Sequence, residues 1–261
     1  MYSVGGHTRG GAKRSLEPVW EKDCGSVGVL GRGSGQKWVE GDGATARGGP
    51  RQTGLREGGF AFIMPDGSKT DAKGPCLRIL VAITGASGAL YAQRLLDNLD
   101  PQQNEVHVVM SNYAQAVISE ELPGGLRLPA GVKSHGLKSM NVPFASGSNP
   151  FDAMVIIPCT MGTLGRIAHG YSEDVLLRAA DVMLKERKKL ILVPRETPLS
   201  LVHVKNFELL LLAGALLIPA NPFFYNHPKT FEQVADTVVA RVLDHLGIPQ
   251  TLVARWAEEK D

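Results

Sequence analysis

The sequence predicts an α/β fold in which helices cover both faces of a doubly wound parallel sheet. Five short apolar runs predict strands at 77–84, 105–110, 152–158, 189–193 and 215–219. Helix-compatible segments separate them, at 89–99, 111–121, 173–187, 199–213 and 230–246. The apolar runs alternate little with polar residues, which is typical of strands buried on both faces. Because strands and helices alternate, the connections are expected to cross over and leave neighbouring strands parallel.

Local signals mark several helix boundaries. Ser172 precedes two acidic residues and is expected to cap the helix at 173–187. Gly214 and Gly247 stand just past two predicted helices, where a left-handed residue commonly ends a helix. The segment 122–150 is rich in Pro, Gly and Ser, so we expect mostly loop there, with one or two weak strands.

Residues 1–75 differ in composition from the rest of the chain. They hold 18 of the 30 glycines and show no sustained apolar period, so we expect them to be disordered. A targeting peptide fits less well, because this segment carries eight acidic residues. We favour translation from Met64 over a disordered extension. Residues 76–261 form the predicted folded domain.

Charge and cysteine spacing exclude several function classes. Residues 76–261 carry 17 Lys and Arg against 18 Asp and Glu, which gives no electrostatic footprint for nucleic acid. Cys24, Cys76 and Cys159 are widely spaced, so neither a disulfide framework nor a metal site is expected, and Cys159 is interpreted as a buried apolar residue. No run reaches the roughly 18 apolar residues of a membrane span, so we expect a cytoplasmic protein without membrane contact.

Polar and small residues follow each predicted strand, at the edge where open α/β sheets bind ligands. They are Gly85-Ala86-Ser87-Gly88, Ser111-Asn112, Cys159 to Thr163, Arg195-Glu196 and Asn221 to Tyr225. Gly85 and Gly88 have no side chains, so a ligand can approach the backbone of the first turn. The helix after this turn is expected to present unpaired N–H groups to a phosphate. A phosphorylated ligand with a ring suits this edge, and flavin mononucleotide (FMN) has both parts.

Three longer strings are more specific than the glycine turn: TGASGALYAQRLL, AADVMLKERKKLILVPRETPLS and PFFYNHP. With them, residues 77–256 resemble the flavin prenyltransferase family of the UbiX/Pad type. The resemblance implies a flavodoxin-like Rossmann domain, a homo-dodecamer, and a link to ubiquinone biosynthesis. It implies metal-free transfer of a dimethylallyl group from dimethylallyl phosphate to N5 and C6 of reduced FMN. The prenylated FMN would serve UbiD-type decarboxylases.

The resemblance also assigns roles to residues. Its FMN contacts fall on Gly85, Ala86, Ser87, Ser111, Thr160, Met161, Gly162, Thr163 and Arg195. Its prenyl-phosphate contacts fall on Lys185, Glu196, Tyr225 and Arg241. Glu121 would help build the site from a neighbouring subunit, and Trp256 would close over it. Met140 or Phe144 would take the place of an aromatic residue that stacks over the prenyl group in some members of the family. Ser87, Glu196 and Lys185 would be catalytic, with Glu196 handing a proton to the leaving phosphate or relaying one during ring closure.

Other interpretations of the same residues stay open. Lys185 could belong to a solvated ion-paired helix face, and Arg195-Glu196 could be a surface ion pair. His203 is interpreted as structural and His227 as a supporting residue. An FMN-dependent decarboxylase of the cysteine-decarboxylase group and a non-catalytic FMN carrier are the alternative functions. The sequence leaves open whether the donor is a monophosphate or a diphosphate.

Overall fold

A computed structural model of the chain describes residues 76–255. The expectations for residues 1–75, including the start at Met64, and for Trp256 lie outside the described residues. Within 76–255, none of the helices combines the length and apolar character that a bilayer crossing needs.

The described residues form one parallel sheet of six strands, in the order β3-β2-β1-β4-β5-β6. The strands are β1 (Arg78–Ile83), β2 (Glu105–Met110), β3 (Lys133–His135), β4 (Ala153–Cys159), β5 (Lys189–Pro194) and β6 (Leu216–Leu217). In the register at the centre of the sheet, Val81 of β1 lies between Val108 of β2 and Val155 of β4. The strand order reverses between β1 and β4, which is the point where such sheets bind ligands. The predicted doubly wound parallel sheet is confirmed.

Helices cover both faces of the sheet. They are α1 (Ala89–Asp97), α2 (Asn112–Glu121), α3 (Met161–Ala168), α4 (Val175–Lys185), α5 (Leu201–Leu212) and α6 (Phe231–Leu246). One buried core joins α1, α2 and α6 to alternate strand residues such as Val81, and the other joins α3, α4 and α5 to their neighbours such as Leu80. Both faces of the central strands are therefore buried, as the near-continuous apolar runs predict.

Three local expectations need correction or refinement. Helix α3 was not predicted, because residues 160–163 read as a turn and because Gly162 and Gly165 lower helix propensity. Helix α4 is capped by Asp174, whose carboxylate accepts the N–H of Leu177, and not by Ser172. The segment 122–150 holds one strand, the edge strand β3, as the weak-strand expectation allowed. Gly214 and Gly247 follow their helices with left-handed backbones, as predicted.

A cluster of two histidines fastens the edge strand β3 to β2. His107 is 2% exposed, and its Nε2 lies 3.0 Å from Oε1 of Glu105 while its Nδ1 lies 3.0 Å from Nε2 of His135. Phe144 and Phe151 contact the His107 ring edge-on. Burial lowers the pKa of His107 below its usual value against the opposing pull of Glu105, and burial with the nearby Lys133 lowers the pKa of His135.

Lowered histidine pKa values predict that the free energy of unfolding decreases as the pH is lowered. The unfolded chain takes up protons as the pH passes below about 6.5 while the buried rings resist protonation, so stability is lost between that value and the folded-state pKa values. In urea titrations from about pH 7.5 to about pH 5.5, His107→Gln should show a shallower pH slope than the unaltered protein. Val106→Ala, which destabilises the same strand without removing a titrating group, should keep the original slope. Equal slopes for all three proteins would contradict this account.

Candidate active site

The turn after β1 is shaped by close backbone contacts. A Cβ placed on Gly85 would lie 2.5 Å from Cβ of Tyr113 at the start of α2. Gly88 caps α1 with a φ of 113°, a left-handed conformation that favours glycine. Both glycines are thus required by the packing of the turn itself, and they keep the chain between them close to the end of β2.

Two N–H groups at the start of α1 are already occupied, contrary to the expectation that this helix presents them unpaired to a phosphate. Oε2 of Glu121, at the end of α2, accepts the N–H of Gly88 at 2.7 Å and the N–H of Ala89 at 2.8 Å. The carboxylate therefore takes the place that an anionic ligand would take at the first turn of α1. Glu121 does this within its own chain, at the site edge to which the resemblance assigns it from a neighbouring subunit.

Glu121 and Arg195 place opposite charges beside the turn that follows β1. Burial raises the pKa of Glu121, but hydrogen bonds from the Ser87 hydroxyl and the two backbone N–H groups, with the charge of Arg195, outweigh it and lower the pKa overall. Nε of Arg195 donates to the carbonyl of Ser87 at 3.0 Å. Burial raises the pKa of nearby Tyr91, against the pull of Arg195. An ionised Glu121 and Arg195 thus flank Ser87 from two sides.

A cavity of about 350 Å³ lies between the first turns of α2 and α3. Its lining residues are Gly85, Ser111, Tyr113, Ala116, Val117, Thr160, Thr163 and Arg166. Ser111 caps α2 and Thr160 caps α3, so two helix N-termini open on one space. The hydroxyls of Thr160 and Thr163 lie 2.9 Å apart, and Thr84 fixes them by accepting the N–H of Thr160. Four of the predicted FMN residues are therefore brought together here.

A second cavity of about 280 Å³ adjoins the end of β5. It is lined by Met161, Pro194, Arg195, Glu196, Thr197, Leu199, Phe207, Pro219, Ala220 and Asn221. Glu196 is exposed, and its Oε1 accepts the N–H of Thr197 at 3.0 Å. Because Arg195 lines this space and also contacts Ser87, the predicted flavin residues and the predicted proton donor share one edge of the sheet.

Tyr225 and Arg241 lie together in a third and larger cavity, of about 780 Å³. The Tyr225 ring stacks on Phe223 with 4.4 Å between centroids. Arg241 and Arg255 both approach Asp244, at 3.2 Å and 3.5 Å. This cavity shares no lining residue with the two at the strand carboxyl ends. In a single chain, these two predicted donor contacts are therefore separate from the predicted flavin contacts.

Lys185 lies at the opposite edge of the sheet. It ends α4, its Nζ bonds Oε1 of Glu186 at 2.8 Å, and it approaches Gly147, in the loop that leads into β4. Asn149 in the same loop bonds Arg78, the first residue of β1. The strands begin at this edge, so Lys185 is not brought together with Ser87 or Glu196 within one chain, and its assigned role needs a second copy.

Side chains expected around the site differ in how well they can reach it. Phe144 is 1% exposed and packs in the core against His107, so its prediction as a residue that stacks over the prenyl group is wrong, whereas Met140 is half exposed.

Cys159 is fully buried, and burial raises the pKa of its thiol to about 12, which agrees with its interpretation as an apolar residue. His203 completes the capping box of α5, a structural role as predicted.

Sequence reasoning missed Thr84, Tyr113 and Arg166. Thr84 is the last residue before the turn and reads as part of the apolar strand, and Tyr113 reads as a surface helix residue. Arg166 is hidden because α3 was not predicted. Counting four residues from Gly162 along a helix would place Arg166 over the first turn of α3.

The residues present fit a flavin mononucleotide. Hydroxyls and two helix N-termini suit its phosphate, and backbone at Gly85 and Ala86 with the Arg195 guanidinium suits the polar edge of its ring. Within residues 76–255, no group of three or more His, Cys, Asp or Glu side chains could hold a metal ion.

The comparison with known families defines the class. The family model described as Flavoprotein matches residues 68–243, so the chain is a flavoprotein of this family. The flavin prenyltransferase UbiX of Methanocaldococcus jannaschii is 44% identical over 182 residues, which cover 69% of this chain and 98% of that protein. The chain therefore belongs to the UbiX-type flavin prenyltransferases.

Solved structures agree with this assignment. A structure of AnUbiX (PadA1) in complex with FMN and dimethylallyl pyrophosphate has a TM-score of 0.66 and 38% identity, and the match covers 71% of this chain and all of that chain. A dodecameric FMN-dependent UbiX-like decarboxylase from Escherichia coli O157:H7 has a TM-score of 0.65 and 40% identity, with 70% of this chain and all of that chain covered. The flavodoxin-like fold implied by the resemblance is thereby confirmed.

The close approach at Gly85 predicts a cost for any side chain there. Gly85→Ala should lower the free energy of unfolding by about 1–3 kcal/mol, because Cβ would overlap the Tyr113 backbone and side chain. Gly162→Ala is the matched control, since nothing lies within 4 Å of a Cβ there and alanine favours a helix. Urea denaturation of both variants checks the difference. A loss at Gly162 as large as that at Gly85 would rule out the steric explanation.

Proposed function

We propose that this protein transfers a dimethylallyl group from dimethylallyl phosphate to reduced FMN. The observation that carries the proposal is the meeting of the hydroxyl-lined cavity, Arg195 and Glu196 at the carboxyl edge of the sheet, in a chain of the UbiX family. Reduced FMN supplies a nucleophilic ring, at N5 and C6, when it is bound. The product is prenylated FMN, which UbiD-type decarboxylases would receive in the cytoplasm.

The chain's own residues position the flavin. Ser111, Thr160 and Thr163 offer hydroxyls to the phosphate, and the first turns of α2 and α3 face the same space. Gly85 to Ser87 and Arg195 lie on the way from that cavity to Glu196. Ser87 is held against the ionised Glu121 and can pass a proton along that contact during ring closure.

Cations are needed where the donor's phosphate leaves, because negative charge collects on it as the allylic C–O bond breaks. Arg241 with the Tyr225 hydroxyl, and Lys185, are suited to that charge. Glu196 can give a proton to the departing phosphate. The AnUbiX structure is a complex with FMN and dimethylallyl pyrophosphate. For this protein we propose the monophosphate, because single side chains can meet its charge without a metal.

Assembly of several copies would complete the site. Lys185, Tyr225 and Arg241 lie away from the flavin edge of their own chain, so they can serve the site of another copy. Helix α5 presents an exposed apolar face for such contacts, on which four residues are more than half exposed: Leu201, Val202, Leu211 and Leu212. Apolar patches of this kind mark interaction surfaces. We propose a homo-oligomer, with a dodecamer as the family likeness implies.

The direct assay supplies reduced FMN and dimethylallyl phosphate with a chelator present. We expect mass spectrometry to find a flavin heavier by one prenyl group. Glu196→Gln should keep the FMN affinity and slow the transfer by about 100-fold, because a proton donor is lost but the flavin contacts stay. FMN binding without any adduct would contradict prenyl transfer and favour a carrier. Loss of FMN binding in Glu196→Gln would contradict the role given to Glu196.

Mixed oligomers test whether one site uses two chains. Lys185→Ala should raise the KM for the donor, and Glu196→Gln should lower kcat. When the two variants are co-expressed with different tags and purified together, about a quarter of the sites should regain both residues if these come from different copies. No recovery of activity in the mixed oligomer, compared with either variant alone, would mean that the two residues act in one chain or not together.

A further inference from the structure

Arg166 is a charged residue of the 350 Å³ cavity that neither the family likeness nor the sequence analysis assigns to the flavin. It lies on α3, three residues after Thr163 and four after Gly162. Of the side chains that line this cavity in the described part of the protein, it is the one that carries a permanent charge. What binds there must therefore be compatible with a guanidinium.

The side chain of Arg166 is directed toward the first turn of its own helix. Its Nε donates to the carbonyl of Gly162 at 3.3 Å, which holds the guanidinium back along α3 beside Thr163 and the cap Thr160. Nη1 lies 3.7 Å from Oε1 of Glu173, and both side chains are largely exposed, at 44% and 59%. That distance exceeds a hydrogen bond, so the ion pair holds the terminal nitrogens loosely and leaves them able to turn to a stronger anion.

The other helix N-terminus at this edge, that of α1, already holds a carboxylate. The turn N–H groups at Gly88 and Ala89 are bonded to Glu121, whose lowered pKa keeps it ionised at neutral pH. A dianionic phosphate would meet like charge there, and Arg195 is already engaged by Ser87 and faces Glu121. The space between the first turns of α2 and α3 has the hydroxyls, the two helix dipoles and the Arg166 cation instead.

We propose that Arg166 binds the phosphate monoester of the flavin and makes the site discriminate FMN from riboflavin. This inference rests on the proposed use of FMN, but not on prenyl transfer. The guanidinium leaves Glu173 and donates two N–H groups to phosphate oxygens, while the Thr163 hydroxyl donates a third hydrogen bond. The phosphate then anchors one end of the flavin, and its ring extends toward Arg195 and Glu196.

The test compares two flavins that differ only in the phosphate. Oxidised FMN and riboflavin are titrated into the full-length protein, and binding is measured by flavin fluorescence. Arg166→Ala should weaken FMN binding about tenfold or more and leave riboflavin binding within about twofold. Arg166→Lys should fall between, because it keeps the charge but loses the paired geometry. Arg127→Ala, which removes an exposed arginine elsewhere on the surface, is the control and should change neither affinity.

Two further readouts separate recognition from stability. If Arg166 only stabilises the turn between α3 and α4, then Arg166→Ala and Glu173→Gln should lower the melting temperature alike and weaken both flavins equally. That result would overturn the proposal, and so would an unchanged FMN affinity in Arg166→Ala. If Arg166→Ala fails to fold, Arg166→Lys decides, since its FMN-to-riboflavin selectivity must drop. A protein that binds FMN through Arg166 but makes no prenyl adduct would refute the proposed function and leave this inference standing.

Discussion

The carboxylate of Glu121 organises the candidate site. It bonds the first N–H groups of α1, receives the Ser87 hydroxyl and faces Arg195, so it ties the end of α2 to the turns after β1 and β5. A carboxylate at a helix N-terminus contributes about 0.3–1 kcal/mol where exposed and more where half buried, as here. The interaction also fixes where other anions can go, because it fills one helix N-terminus at the switch point and leaves the N-termini of α2 and α3 open.

In the proposed assembly, different copies would contribute the flavin residues and the donor residues of one site. One chain by itself holds the residues proposed for the flavin, with hydroxyls and Arg195 at the carboxyl edge of the sheet. The cations proposed for the donor lie in the large cavity beside α6 and at the strand amino edge. Exposed leucines on α5 would favour association, because burying apolar surface between copies removes it from water. Association and completion of the site would then be the same event.

The sequence was sufficient for five of the six strands and for the sheet edge at which the candidate site lies. Strands β1, β2, β4 and β5 are mainly apolar runs whose central residues are buried on both faces, so their composition identifies them. Helix α3 was not predicted because its glycines lower the helix propensity of the segment. Its stability comes from the packing of Leu164 and Ile167 in the core. The cap of α4 was misplaced by two residues because Ser172 and Asp174 both have side chains that can cap a helix, and the sequence pattern does not distinguish them.

Long-range relations were beyond the sequence. Glu121 and Gly88 are 33 positions apart, and nothing in either segment says that the carboxylate ends on that helix. The burial of Phe144 depends on the histidine cluster and on Phe151, which come together only when the loop folds under β2. The family likeness assigned candidate residues and placed one of them, Glu121, on a neighbouring subunit, but it did not separate Lys185, Tyr225 and Arg241 from the flavin residues of the same chain.

A structure of the assembled protein with FMN and dimethylallyl phosphate bound tests the central claim most directly. The account predicts the flavin phosphate between Thr163 and Ser111, the flavin ring toward Arg195, and Lys185 of one copy within hydrogen-bonding distance of a donor phosphate held at another copy's Glu196. A flavin phosphate seated on the Gly88 turn in place of Glu121, or Lys185 far from every donor site in the assembly, would contradict it.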